Sequence, residues 1–322
     1  MFMIYFWVAC TPLLGKNPTL DDNQVEDLPS SVDVQRIQPT SDNAKFFGKE
    51  LHAVNDTLYI SAPSEVSEIY RLELNNAYTA SLWKTTETQH GHHLTGINQL
   101  FWSTPSTVRN STGVAHYTSP QNLLEVSYDD QSHLLVLSGR SLYVDSNAVL
   151  ETQNRASLLG FCQGKALLYS PFGEHDIIVY NLAAQQLITQ RQRTENTVRQ
   201  SIECFKFDEQ WTWAIAGDGR VEVLDLTSLE SLYTFEFEDK ILIESLVSPA
   251  PGLLLIGAPS SGGTGAVYEL RTNQSNEITV KFSGTAPRGE FGSSIYIDTA
   301  RNAVFVSAPM VEQGEVWRFP YE

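Results

Sequence analysis

Seven short apolar runs, each closed by a small residue and then Pro or Gly, recur along this chain and constrain its architecture more than any other feature. They end at Ala62-Pro63, Thr104-Pro105, Ser138-Gly139, Ser170-Pro171, Ala216-Gly217, Ala258-Pro259 and Ala308-Pro309. The intervals between the closing residues are 42, 34, 32, 46, 42 and 50, with a mean of 41. That mean is the size of a four-stranded blade, and a fixed period of this kind marks a repeat architecture.

Each copy has the chemistry of strands. LYISAP, LLVLSG, LLLIGAP and VFVSAP are continuous apolar runs, as a strand covered on both faces must be. Segments such as Val267-Tyr268-Glu269-Leu270 and Val316-Trp317-Arg318-Phe319 follow them and fit the next strand outward, where one face begins to meet water. No window sustains a helical period, which excludes a helical solenoid. Aromatic residues at 11% and hydrophobic residues at 42% suffice for a packed core.

Three copies carry more than the pattern. Phe47-Gly48 with Ala62-Pro63, Gly257-Ala258-Pro259 with Gly265 to Tyr268, and Phe291-Gly292 with Ala308-Pro309 and Gly314 to Trp317 resemble the FG-GAP repeat of integrin α-subunit propellers and bacterial surface proteins. The likeness spans residues 46 to 319; copies two to five keep the pattern without the signature. Seven copies imply an all-β fold, a seven-bladed β-propeller. The chain stops three residues after Phe319, which leaves the seventh blade short of its outermost strand and its edge unpaired. VDVQRI, residues 32–37, alternates apolar and polar and is expected to pair with the last strand and close the ring.

The N-terminal residues differ in kind. MFMIYFWVAC is nine apolar or aromatic residues ending on a cysteine, too short to span a bilayer and suited to the end of a secretion signal. Trp7-Val8-Ala9-Cys10 resembles a bacterial lipobox, which implies acylation of Cys10. Residues 11–44 hold six acids, two bases and four prolines and suit an extended acidic tether that includes the closing strand, leaving 45–322 for the propeller. Residue 11 is Thr rather than Asp, so the resemblance implies no retention at the inner membrane.

Charge excludes one partner class. Lys and Arg number 21 against 38 Asp and Glu, a formal charge of -17, and the basic residues are dispersed. Nucleic acid would be repelled. The three cysteines are too few for a disulfide framework and too scattered for zinc. Cys162 and Cys204 fall in different blades and fit either a disulfide or two small core residues, the second being the preferred reading.

Candidate chemistry is sparse. The family resemblance implies an Asp/Asn-rich calcium loop between the first two strands of a blade, but the best turns, Asp129-Asp130 and Asp208-Glu209, offer only adjacent carboxylates, pointing to opposite sides of an extended chain. His90 and His92 share a face beside His93, without a third ligand. Gly217-Asp218-Gly219 fits a tight hairpin turn. Residues 260–265, SSGGTG, lack the Lys of a phosphate loop. Ser293-Ser294 is not in a nucleophile-elbow setting. Residues 189–200, TQRQRTENTVRQ, carry net positive charge and are expected as an exposed blade connection, with a partner-facing loop as the alternative. Trp83, Trp102, Trp211, Trp213 and Trp317 are expected mainly in the core, not on a binding face.

No catalytic, metal or cofactor residue is therefore assigned; Cys10 is the one assigned site. The expectation is an exported, lipid-anchored, non-catalytic monomer at the outer membrane or cell surface of a bacterium, binding a protein or glycan partner. The alternatives are an enzyme with its pocket in the propeller channel, marked by carboxylates, His or Arg converging at one mouth, and a calcium-stabilised adhesin.

Overall fold

The computed structural model describes residues 34–321 apart from 42–43, 64–66, 76–79, 87–92, 97, 105, 120–122, 130–132, 173, 194–197, 238–240 and 273–276. Strand β1 (Gln35–Ile37) comes first. Blade 1 is β2 (Leu51–Val54), β3 (Thr57–Ala62), β4 (Ser67–Glu73) and β5 (Ser81–Thr86); blade 2 is β6 (Leu94–Thr95), β7 (Phe101–Ser103), β8 (Thr107–Asn110) and β9 (Ala115–Thr118). Blade 3 is β10 (Leu123–Tyr128), β11 (Leu134–Ser138), β12 (Ser141–Val144) and β13 (Asn147–Glu151). Blade 4 is β14 (Leu158–Cys162), β15 (Lys165–Tyr169), β16 (His175–Asn181) and β17 (Gln186–Gln192). Blade 5 is β18 (Ser201–Phe207), β19 (Gln210–Gly217), β20 (Arg220–Asp225) and β21 (Ser231–Glu236). Blade 6 is β22 (Ser245–Ala250), β23 (Leu253–Ala258), β24 (Ala266–Arg271) and β25 (Glu277–Ser283). Blade 7 is β26 (Ile295–Asp298), β27 (Ala303–Ala308) and β28 (Glu315–Pro320), with β1 as its fourth strand. The chain is thus a seven-bladed propeller of antiparallel sheets.

The apolar runs are the second strands. All of β11 and all of β27 are buried, whereas the outer strands β17 and β21 are largely exposed. A second strand lies inside its own sheet and is covered by both neighbouring blades, so continuous hydrophobicity, not alternation, is what its position demands. The closing Pro or Gly at 63, 139, 171, 217, 259 and 309 sits at or within two residues of the strand end; Pro105 lies outside the described residues.

Ring closure follows the expectation from alternation. β1 pairs antiparallel with β28, Gln35 opposite Arg318 and Ile37 opposite Val316. Ile37 is fully buried with Phe47, Leu58 and Phe305, and Arg36 pairs with the buried carboxylate of Glu315. Val32 and Asp33 lie outside the described residues.

At two blade junctions the FG pair interlocks with a glycine of the preceding blade. Gly265 bridges to Phe291, and Gly314 lies so close to Phe47 that an added Cβ would fall 2.3 Å from its carbonyl oxygen. Both glycines hold positive φ, 89° and 100°, so the position excludes side chains on two grounds. The following glycines donate in matching fashion, Gly48 N–H to Ser61 O and Gly292 N–H to Ser307 O, each at 2.9 Å. The buried hydroxyls of Ser61 and Ser307 accept from Glu50 N–H and Ser294 N–H at 2.8 and 2.9 Å.

Blades 4 and 5 are joined differently. Cys162 on β14 and Cys204 on β18 form a disulfide, with Cα atoms 5.1 Å apart. The preferred sequence reading, two small core residues, is thereby corrected. First strands of adjacent blades run side by side around the axis, which brings the two cysteines within bonding reach.

The candidate calcium turns are tight. Asp208 and Glu209 hold φ of 43° and 65° in a two-residue hairpin, and Asp218-Gly219 holds 49° and 72°. Asp218 also accepts from Val198 N–H at 2.7 Å.

Candidate ligand site at the channel mouth

The first strands of neighbouring blades pack side by side around the ring, and residues before or within all seven gather at one end of it. A cavity of about 1260 Å³ opens there. Its rim is formed by Lys49-Glu50, His93, Glu125, the segment from Val198 to Glu203, Glu244-Ser245 and Ser293-Ser294. These residues stand just before or within the first strands, so the ring alone brings together side chains up to 245 positions apart.

One sector is acidic. His93 Nδ1 lies 2.9 Å from Glu50 Oε1 and 3.5 Å from Glu125 Oε1, and Leu94 N–H donates to Glu50 Oε2 at 2.6 Å. Burial in the channel wall pushes the Glu125 carboxyl up to about 7, with His93 opposing the shift and Glu50 adding to it. Burial also pushes Glu203 up to about 8, opposed by the Ser248 N–H at 3.4 Å. Lys49 Nζ stands 3.4 Å from Glu244 Oε2.

The sector between blades 4 and 5 is cationic. Arg191 reaches Asp176 through two nitrogens, at 3.2 and 3.0 Å, and Glu222 at 2.9 Å. Glu222 also receives Arg199 Nη2 at 2.8 Å. Arg199 is 3% exposed, yet its Nε and Nη1 find no partner among the described residues, nor does Nε of Arg193. Arg193 spends its two terminal nitrogens on the carbonyls of Ser170 and Pro171. Beside these groups stand Phe172, 68% exposed, and Val198, 52% exposed.

Of residues 189–200, 194–197 lie outside the described residues, Val198 is exposed and Arg199 is buried. Residues 189–192 belong to β17, and Asp176 on β16 and Glu222 on the neighbouring β20 draw Arg191 inward. Of the histidine cluster, His93 reaches the mouth, while His90 and His92 lie outside the described residues, as does Cys10. Asp129 accepts from His133 Nδ1 and the His133 N–H, both at 2.7 Å, and Asp130 is outside the described residues. Ser294 lines the mouth, where its hydroxyl accepts from Leu51 N–H at 3.2 Å, a role between blades. Trp213 and Trp102 are buried, Trp83 and Trp317 half-buried, and Trp211 is 44% exposed. Among the described residues no three ligating side chains form a metal-binding group.

Glu50, Glu125 and Glu203 were not singled out by sequence reasoning, and Arg199 only as part of 189–200. A signal existed for part of the rim: the two residues after each FG pair, Lys49-Glu50 and Ser293-Ser294, both line the mouth. Extending the repeat alignment by two positions would have found them.

No family model matches this chain, and no curated protein matches it. Among solved structures it is similar to the WD40 β-propeller domain of Doa1, with a TM-score of 0.65 and 10% identity over 88% of this chain and 95% of that one. At that identity the likeness is one of fold.

Proposed function

We propose that the chain is an exported, lipid-anchored recognition module of FG-GAP type whose channel mouth holds a partner without transforming it. The observation that carries this reading is the mouth itself, a roomy, charge-divided cavity with an exposed phenylalanine on its cationic side. The Phe47–Gly314 and Phe291–Gly265 interlocks support the repeat type, since both depend on the FG pair. The Cys162–Cys204 disulfide supports export, because such bonds persist in oxidising compartments. Cys10 remains the proposed lipidation site.

The test is capture of binding partners by the tagged full chain and by Phe172→Asp, a substitution at an exposed position. Loss of the captured partner in the variant is expected; unchanged capture overturns the mouth as the binding face. Palmitate-analogue labelling that is equal in the native chain and Cys10→Ala overturns the anchor.

One observation favours a second reading. A carboxyl titrating near neutrality beside an imidazole, Glu125 with His93, is suited to proton transfer, which suits an enzyme. Recovery of the captured partner chemically intact after prolonged incubation supports recognition, whereas a cleaved or modified partner supports the enzyme.

A further inference from the structure

Beneath its charged rim the cavity is apolar. Leu51, Leu94, Leu159, Ile202, Leu246 and Ile295 line it, one from each of six blades. They stand opposite Ile60, Trp102, Leu168, Ile215, Ile256 and Val306, each two or three residues before its blade's closing Pro or Gly, so they form a ring at one depth. The rim above is electrically settled: His93 lies between Glu50 and Glu125, and Lys49 pairs with Glu244. Glu203 is different. It follows Ile202 on β18, one step further from the rim, and its Oε1 has only the Ser248 N–H, at 3.4 Å. No charged group among the described residues offsets the burial that pushes its carboxyl up. Glu203 is half-buried and lines the same cavity, and its Oε2, which bonds nothing among the described residues, is not closed off from it.

A ligand that satisfies this arrangement needs two parts in a fixed order. A carboxyl in an apolar wall is stabilised as the carboxylate when a cation enters with it. One free oxygen suits an ammonium, a compact charge; a guanidinium presents a planar fork that wants two acceptors side by side. The aliphatic ring between rim and carboxyl must be passed and then covered, which favours an unbranched methylene stem behind the charge. An inorganic cation has no such stem, and an anion would be repelled by Glu203.

We propose that the channel takes a primary ammonium group on an unbranched apolar stem, the stem inside the ring of Leu51, Leu159, Ile202 and Leu246 and the ammonium on Glu203. A lysine side chain and a free alkylamine share this chemistry. The inference rests on the mouth being the binding face, and it goes beyond that reading by naming the group recognised and placing it below the rim.

The test titrates the full chain with n-hexylammonium, with n-hexanol as the same stem without the charge, and with a short peptide carrying either lysine or Nε-acetyl-lysine. Hexylammonium is expected to bind about tenfold tighter than hexanol. Glu203→Gln should abolish that preference and leave hexanol unchanged. Equal binding of the two, binding of neither by the folded chain, or a preference that survives Glu203→Gln overturns the proposal. Should the variant not fold, the unaltered chain decides: carbodiimide coupling of the bound hexylamine is expected at Glu203, and coupling that is absent or confined to Glu50, Glu125 and Glu244 overturns the proposal. Binding of the lysine peptide in preference to its acetylated form identifies a protein side chain as the source, and binding of hexylammonium alone identifies a free amine. Partner capture that depends on Phe172 while neither amine binds overturns this inference and spares the mouth; capture that ignores Phe172 overturns the mouth.

Discussion

The junctions on either side of blade 7 and the junction between blades 4 and 5 solve one problem by different means. Around blade 7, backbone meets backbone: Phe47 lies on Gly314 and Phe291 on Gly265, and the contacts have room for nothing but glycine. Between blades 4 and 5, side chains do the joining, through the Cys162–Cys204 disulfide and the run Asp176–Arg191–Glu222–Arg199. The first solution is indifferent to redox state. The second responds to it through the disulfide.

Steric exclusion should give the largest effect. Gly314→Val combines left-handed strain with a clash against the Phe47 backbone, and a loss of about 5 kcal/mol in urea-unfolding free energy is expected. Gly164→Ala is the control, since its φ is also positive but nothing lies within 4 Å, and about 1 kcal/mol is expected. Similar losses for the two would erase the distinction between an interlock and an ordinary turn.

Next comes the disulfide. It closes a loop of 42 residues, for which chain entropy predicts about 4 kcal/mol. The Cys162→Ala, Cys204→Ala double variant should melt well below the parent and lose all response to dithiothreitol, while Gly314→Val keeps that response. A melting temperature insensitive to reductant in the parent chain would contradict the comparison.

The ion-pair run should matter slightly less. Glu222→Gln leaves Arg199 buried without its carboxylate, and a loss of about 3 kcal/mol is expected. A loss below about 1 kcal/mol would mean that the disulfide holds this junction unaided.

Acidity sharpens the same contrast more gently. Glu203, beside Cys204, binds its proton more tightly folded than unfolded, so its stabilising contribution is complete below the ordinary glutamate pKa and is lost as pH rises through about 8. The parent's melting temperature should therefore fall between pH 5 and 9 more steeply than that of Glu203→Gln. Parallel curves would place Glu203 in contact with bulk water. Chelator is expected to leave the melting temperature unchanged; a drop would favour the calcium-stabilised adhesin.

The two kinds of junction also explain what the sequence made legible. A backbone interlock is written in adjacent residues, FG in one blade and a glycine in the blade before, so it announces itself as a motif and fixes blade count and second strands. Ile37 was legible for a related reason, because alternation over a few residues determines which face is buried. The junction between blades 4 and 5 is assembled from Cys162, Asp176, Arg191, Cys204 and Glu222, each unremarkable in its own segment. Cys162 and Cys204 were paired only by the angle between two blades, which no local pattern encodes. Glu50, His93, Glu125 and Glu203 likewise became a site only when the ring closed. The inward pairing of Arg191 and Arg199 was not legible in 189–200, because their partners, Asp176 and Glu222, lie on other strands.

Pairing β1 with β28 has a consequence in time. Arg36 and its partner Glu315 are 279 residues apart, so Gln35–Ile37 must wait for their partner strand until β28 has been made. Blades 1 to 6 have all four of their strands in sequence and can form in order of emergence, but blade 7 is completed by a strand that emerges before blade 1. Closure of the ring is therefore expected to be a slow, long-range docking step. Until that step the open flank of β28 is its most vulnerable surface to proteases and to other unfinished chains.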